Sequence, residues 1–209
     1  MNEKIKNPDW AYLDKYKDEN TQIKTLPFEE SRIVFFGDSI IAGWKTNSPE
    51  FFSNKKYINR GINGQTTSQM LIRFRPDVIE LKPEIVIILA GTNDIAGNTG
   101  PTTLETILGN LISMCELANA NNIKPILSSI LPASDYPWRK GIEPAEKIEK
   151  LNAMILQYAN ANHITYVDYY SAMVDKQKGM KSIYSNDGVH PNKEGYYVMN
   201  SIIEPFILM

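Results

Sequence analysis

The chain has 209 residues, room for one domain with a sizeable core but cramped for two. With 22 Lys and Arg against 24 Asp and Glu, its formal charge of −2 offers no basic face for a nucleic acid. A single cysteine, Cys115, excludes an internal disulfide framework, argues against a cysteine-based zinc site and reads as a small core residue.

The opening stretch, MNEKIKNPDWAYLDKYKDEN, lacks the apolar centre of a signal peptide. No run approaches the roughly 18 apolar residues of a membrane span. As written, the chain is expected in the cytoplasm and off the membrane, although loss of a leader would leave the same sequence. Trp10, Leu13 and Tyr16 recur at near-helical spacing after Pro8 and Asp9 and predict a helix. Residues 1–30 are thus expected to form a helical extension packed on a domain spanning 31–209.

Five short runs then read as strands: RIVFF (32–36), KKYINR (55–60), EIVIILA (84–90), KPILSSI (124–130) and HITYVD (163–168). Most are almost continuously apolar, as strands buried on both faces of a parallel sheet should be; KKYINR is the most polar and the weakest. Helical patterns separate or follow them at 66–81, broken at Pro76, and at 101–122, 143–162 and 192–208. In the second of these, Leu104, Ile107, Leu108, Leu111, Cys115 and Ala118 share a stripe. Strand and helix alternate, which argues for a layered α/β fold. Ligands in such folds sit beyond the carboxyl ends of the strands.

The residues after each strand therefore matter most. They are Gly37-Asp38-Ser39, Gly61-Ile62-Asn63-Gly64-Gln65-Thr66, Gly91-Thr92-Asn93-Asp94 and the long loop 131–141; Asp187-Gly188-Val189-His190 precedes the last helix. Together they supply a hydroxyl, a base, a carboxylate to orient it, and donors for an oxyanion, the parts of nucleophilic acyl transfer. A serine hydroxyl needs a base within hydrogen-bond reach, and histidine suits that task near neutral pH. A carboxylate on the far ring nitrogen fixes the tautomer. Glycine lets backbone N–H groups approach closely, and an asparagine amide is a neutral donor.

GDSI at 37–40, GINGQT at 61–66, GTND at 91–94 and DGVHP at 187–191 resemble, in order, the four blocks of the SGNH hydrolase superfamily, the GDSL-type esterases and lipases. Ile40 replaces the usual Leu without touching a catalytic atom. The spelling is most similar to platelet-activating-factor acetylhydrolase subunits and bacterial acylhydrolases. The resemblance implies a flavodoxin-like three-layer α/β/α sandwich with a five-stranded parallel sheet. It makes Ser39 the nucleophile, His190 the base and Asp187 its orienter. Gly64, Asn93 and the Ser39 N–H become the oxyanion donors, with no metal and no cofactor.

Simpler roles compete. Ser39 suits a helix N-cap, Asn93 an Asx turn and Gly61 a plain turn; Asp38 and Asp94 read as scaffold. The other histidine, His163, has no acid just before it and reads as structural or surface. Tyr136, Trp138 and Arg139 of the long loop, and Trp44, are candidates for touching substrate. The expected reaction is hydrolysis of short-chain, acetyl-like esters of carbohydrates or small alcohols through an acyl-enzyme. The alternative is a lysophospholipase or thioesterase of the same superfamily. From another class, a flavodoxin-like binding module would have no use for Asp187 beside His190. Homo-oligomerisation is left open.

Overall fold

In the computed structural model, which describes residues 9–25 and 31–207, the strands are β1 (Ile33–Gly37), β2 (Tyr57–Gly61), β3 (Ile85–Leu89), β4 (Lys124–Ser128) and β5 (Thr165–Val167). All adjacent pairs are parallel and the sheet order is β2-β1-β3-β4-β5. This is the flavodoxin-like order, with its switch point between β1 and β3. Gly37 at the end of β1 lies level with Gly61 on one side and Leu89 on the other, so three strands end at one height.

The helices are α1 (Lys17–Thr25), α2 (Ser39–Asn47), α3 (Thr67–Asp77), α4 (Thr92–Ile95), α5 (Leu104–Ala120), α6 (Ala145–Ala161), α7 (Tyr170–Met173) and α8 (Lys193–Ile207). Strand side chains alternate between two cores. Val34, Phe36 and Ile88 pack with Phe74 of α3, Leu111 of α5 and Leu151 of α6. Ile33, Phe35 and Ile87 pack with Trp44 of α2 and Tyr196, Met199 and Ile203 of α8. The result is a three-layer α/β/α sandwich. Cys115 is buried in the first core.

Local differences from the sequence reading have local causes. The polar run KKYINR does form a strand, β2; it lies at the sheet edge, where alternate residues stay half-exposed. Helix α3 runs one residue past Pro76, because the Val78 N–H still reaches the Phe74 carbonyl at 3.0 Å. Gly61 is not a simple turn glycine. A Cβ there would lie 2.1 Å from the Ala42 backbone nitrogen, so glycine lets α2 settle onto β2.

Of the expected 1–30 extension, residues 1–8 and 26–30 lie outside the described residues. The helix begins at Lys17 rather than near Trp10. Asp9 accepts the N–H groups of Leu13 and Asp14, and Tyr12 has a φ of 57°, so residues 9–16 form turns. Trp10 and Leu13 are exposed. Ile23 packs against the first core, and polar contacts hold the rest of the segment. Gln65 and Gln69 donate to the Ala11 and Trp10 carbonyls, Tyr16 Oη donates to the Gly61 carbonyl, and Asn20 bonds Asp77.

Candidate active site

At the switch point β1 ends in Gly37 and the chain enters α2 within two residues. Asp38 caps this helix: its Oδ1 accepts the Ile40 N–H at 2.9 Å. The capping role considered for Ser39 thus belongs to its neighbour. Ser39 occupies the first helical position, half-buried, and its Oγ lies 3.0 Å from His190 Nε2. That contact joins residues 151 positions apart.

His190 stands on a tight turn closed by a bridge between Ser185 and Pro191. Its Nδ1 is 2.7 Å from Asp187 Oδ2. The other carboxylate oxygen, Oδ1, accepts the backbone N–H groups of His190 and Val189 at 2.8 and 2.9 Å, and Ser185 Oγ lies 3.1 Å away. Burial works to raise the Asp187 pKa. The hydrogen bonds from the His190 ring and from the two backbone N–H groups outweigh it and hold the carboxyl at about 2. An ionised Asp187 accepts the Nδ1 proton and leaves Nε2 free to accept from Ser39, the tautomer that a general base requires.

The remaining predicted polar residues form a connected chain beside Ser39. Asn93, on α4 after β3, is buried; its Nδ2 lies 3.2 Å from Asp38 Oδ2 and 3.1 Å from the Gln65 carbonyl. The Asn93 amide therefore has acceptors for both its protons, and donating to an oxyanion means exchanging the longer contact, that to Asp38. Asn98 Nδ2 donates to Asn93 Oδ1 at 2.8 Å and to the Gly64 carbonyl at 3.1 Å. Gly64 has a φ of 76°, which favours glycine on backbone grounds alone, since the nearest atom to an added Cβ would be 3.8 Å away.

Beneath this rim lies a buried polar frame that sequence reasoning missed. Arg73 is fully buried and donates from Nη2 to the carbonyls of Gly37 and Arg60, both at 2.9 Å. Its Nε bonds Gln65 Oε1, and Nη1 pairs with Asp77 at 2.9 Å. One guanidinium thus ties the ends of β1 and β2 to the loop that carries Gly64. Asp94 accepts the Thr67 N–H and hydroxyl, the latter at 2.6 Å, and so fixes the start of α3 against α4. Burial raises Asp94 to about 6, although the Thr67 bonds pull it down. Burial raises Asp38 to about 7, against the pull of the Ile40 bond and the His190 charge. Apolar residues at a period of about 3.6 residues signal a helix's core face, but no local pattern distinguishes Arg73 from an exposed arginine.

The loop 131–141 divides the residues expected to touch substrate. Trp138 is 43% exposed, and its ring centroid lies 5.8 Å from that of His190. Tyr136 does not present a face as expected: it is fully buried and stacks under Trp138 at 5.1 Å. Arg139 is exposed and donates to the Gly97 carbonyl at 3.3 Å, bridging the two loops of the rim. Trp44 belongs to the core, with Nε1 bonded to Asn200 Oδ1 at 2.7 Å. His163 precedes β5 at the amino end of the sheet, beside Lys124 and Asn162, away from Ser39. Burial pushes the Cys115 thiol up to about 12, which makes it inert. Among the described residues no group of three or more His, Cys, Asp or Glu side chains is placed to hold a metal ion. None of their helices is long and apolar enough to cross a membrane.

Comparison with known proteins gives a consistent assignment. Residues 35–198 match the GDSL-like Lipase/Acylhydrolase family. A candidate acylhydrolase from Bacteroides fragilis is 47% identical, superposes with a TM-score of 0.93, and the match covers 97% of this chain and 98% of the other. A GDSL-like lipase from Bacteroides thetaiotaomicron is 48% identical with a TM-score of 0.91, over 95% and 98% of the two chains. The human platelet-activating factor acetylhydrolase IB subunit alpha2 is 28% identical over 114 residues, 52% of this chain and 48% of its own. The chain spans about half or less of the length of the curated relatives it first matches.

Proposed function

The chain belongs to the GDSL-like lipase/acylhydrolase family, and from that premise we propose that it is a serine esterase that removes short acyl groups, acetyl above all, from carbohydrates or small alcohols. The observation that carries the reading is the unbroken relay from Ser39 Oγ through His190 to Asp187, at 3.0 and 2.7 Å, on the carboxyl rim of the sheet.

In this reading Ser39 attacks the ester carbonyl while His190 Nε2 takes its proton. The tetrahedral oxygen is met by the Asn93 amide and by the N–H groups of Gly64 and Ser39. His190 then returns the proton to the leaving alcohol. Water repeats the sequence on the acyl-enzyme, and Asp187 stays ionised throughout. Every step uses side chains and backbone groups of this chain.

The character of the rim supports a short acyl group and a polar alcohol. Among the described residues, the contacts leading away from Ser39 run through His190 to the exposed Trp138 ring and, from the neighbouring Asp38, through Asn93 to Asn98, polar and aromatic side chains throughout. The Trp138 ring is a flat apolar face beside a catalytic base, which suits stacking against a sugar. The decisive experiment is hydrolysis of p-nitrophenyl acetate by wild type and Ser39→Ala, with butyrate and octanoate esters in parallel. Ser39→Ala should lose at least about a thousandfold in kcat/KM. Equal activity in the two proteins would move the nucleophile elsewhere. A steady rise in turnover from acetate to octanoate would overturn the short-acyl assignment in favour of a lipid or thioester substrate.

A further inference from the structure

We infer that Asn98 is a positioning residue that sets the polarity of the Asn93 amide and ties it to the Gly64 turn; the inference rests on Asn93 acting as an oxyanion donor. An asparagine amide can sit in two orientations that differ only in exchanging oxygen and nitrogen. Fixed neighbours must choose between them. Here the choice starts at backbone carbonyls, which can only accept.

The Gly64 carbonyl requires a donor, so Asn98 turns Nδ2 toward it, at 3.1 Å. The same Nδ2 donates its other proton to Asn93 Oδ1 at 2.8 Å. Asn93 must then turn its own Nδ2 the opposite way, toward Asp38 and the Gln65 carbonyl at 3.2 and 3.1 Å. Gln65 supplies an independent check, because its carbonyl also accepts only. The backbone reinforces the link: the Asn98 N–H donates to the Asn93 carbonyl at 3.0 Å. A single side chain thus spans both non-serine parts of the proposed oxyanion site. It selects the orientation in which Asn93 offers hydrogens rather than a lone pair, and it anchors the loop bearing Gly64.

Asn98 is exposed while Asn93 is buried, so substitutions at 98 should leave the fold intact. Asn98→Ala removes one of the two groups that choose the orientation and leaves the Gln65 carbonyl. Asn98→Asp does more: a carboxylate there would face the Gly64 carbonyl and Asn93 Oδ1, three acceptors with no donor among them. Held in place, it would drive Asn93 to reverse and turn its oxygen toward Asp38 and Gln65; turned to solvent, it would leave the site as Asn98→Ala does.

The test measures kcat and KM on p-nitrophenyl acetate for Asn98→Ala, Asn98→Asp, Asn93→Ala and the double alanine variant. Asn98→Ala should lower kcat about tenfold, the worth of one orienting hydrogen bond, with KM within about twofold. Asn98→Asp should lose at least as much as Asn98→Ala, up to the roughly hundredfold loss of a missing oxyanion donor. In the Asn93→Ala background, Asn98→Ala should lower kcat less than about threefold, the share that runs through the Gly64 turn, since there is no amide left to orient. A raised KM at unchanged kcat would instead make Asn98 a direct substrate contact and overturn the inference. So would the full tenfold loss persisting without Asn93, or no loss in Asn98→Ala. If Asn93→Ala itself loses nothing while Ser39→Ala is inactive, the assignment of Asn93 falls and this inference with it, but the nucleophile stands.

Discussion

Replacing Asp187 by Asn tests the relay at its most local point, because the change keeps shape and removes only charge and polarity. An asparagine Oδ1 can still accept the His190 and Val189 backbone N–H groups, now at 2.8 and 2.9 Å, so the turn should hold. Its Nδ2 would face His190 Nδ1 across 2.7 Å. A donor there favours an unprotonated Nδ1 and drives the ring proton to Nε2, the nitrogen that must accept from Ser39. That preference is worth about 1 kcal/mol for a neutral hydrogen bond.

The larger loss comes when the ring is charged, in the transition state. The carboxyl sits at about 2 against an ordinary 3.8, burial opposing and the His190 and Val189 bonds dominating. At about 1.36 kcal/mol per pH unit this corresponds to roughly 2.5 kcal/mol. The Asp187 side chain is 43% exposed, so solvent screening leaves about half of that. The charge-assisted bond to the imidazolium is already part of that shift and by itself is worth about 1.5 to 3 kcal/mol that an amide cannot match. With the tautomer preference the loss is about 2.5 to 4 kcal/mol, a roughly 10²- to 10³-fold fall in kcat/KM on p-nitrophenyl acetate. The thermal midpoint should move little near neutral pH. A fall of less than tenfold would refute the assignment of Asp187 as the residue that holds the base.

Two further expectations concern stability. Asp38 has its carboxyl raised to about 7 by burial, so the fold favours its protonated form. Its stabilising contribution is complete below about 3.8 and is lost as pH rises through about 7, at most about 4 kcal/mol in all. Urea unfolding of Asp38→Asn and wild type at pH 4 to 8 should therefore show the variant gaining relative stability as pH rises, and a constant difference would contradict the burial argument. Arg73→Met should cost about 3 to 5 kcal/mol, because it leaves the buried Asp77 charge without its cation and removes a donor from two strand-end carbonyls. Pairing it with Asp77→Leu should recover part of that loss; no recovery would mean that the carbonyl contacts, not the ion pair, carry the effect.

The sequence by itself determined the elements and the local half of the site. The short apolar, β-branched and aromatic runs of β1 and β3, stopped by glycine, read as buried strands. Asp187 and His190, three residues apart on a glycine-bearing turn, meet through one hydrogen-bonded loop, so their pairing is written in their spacing. Four strand-end motifs in order were enough to indicate the chemistry.

Tertiary structure decided what depends on distant partners. Ser39 reaches His190 only because the order β2-β1-β3 brings the end of β1 to the switch point and α8 packs against the layer that holds α2. Tyr136 and Trp138 sit two residues apart in the same loop with similar chemistry, yet one is fully buried and the other 43% exposed. No periodicity within an irregular loop encodes which ring faces inward. Arg73 and Asn98 look like ordinary polar residues of a helix and a turn. Their importance lies in acceptors contributed by Gly37, Arg60, Gly64 and Asn93, which only the closed sheet gathers within hydrogen-bond range. The N-terminal segment shows the same limit, since a near-helical spacing of aromatics gave way to turns once Asp9 captured the Leu13 and Asp14 N–H groups. Hydrogen bonds between close neighbours can be anticipated from a sequence, whereas those that close over many residues depend on which surfaces the core brings together.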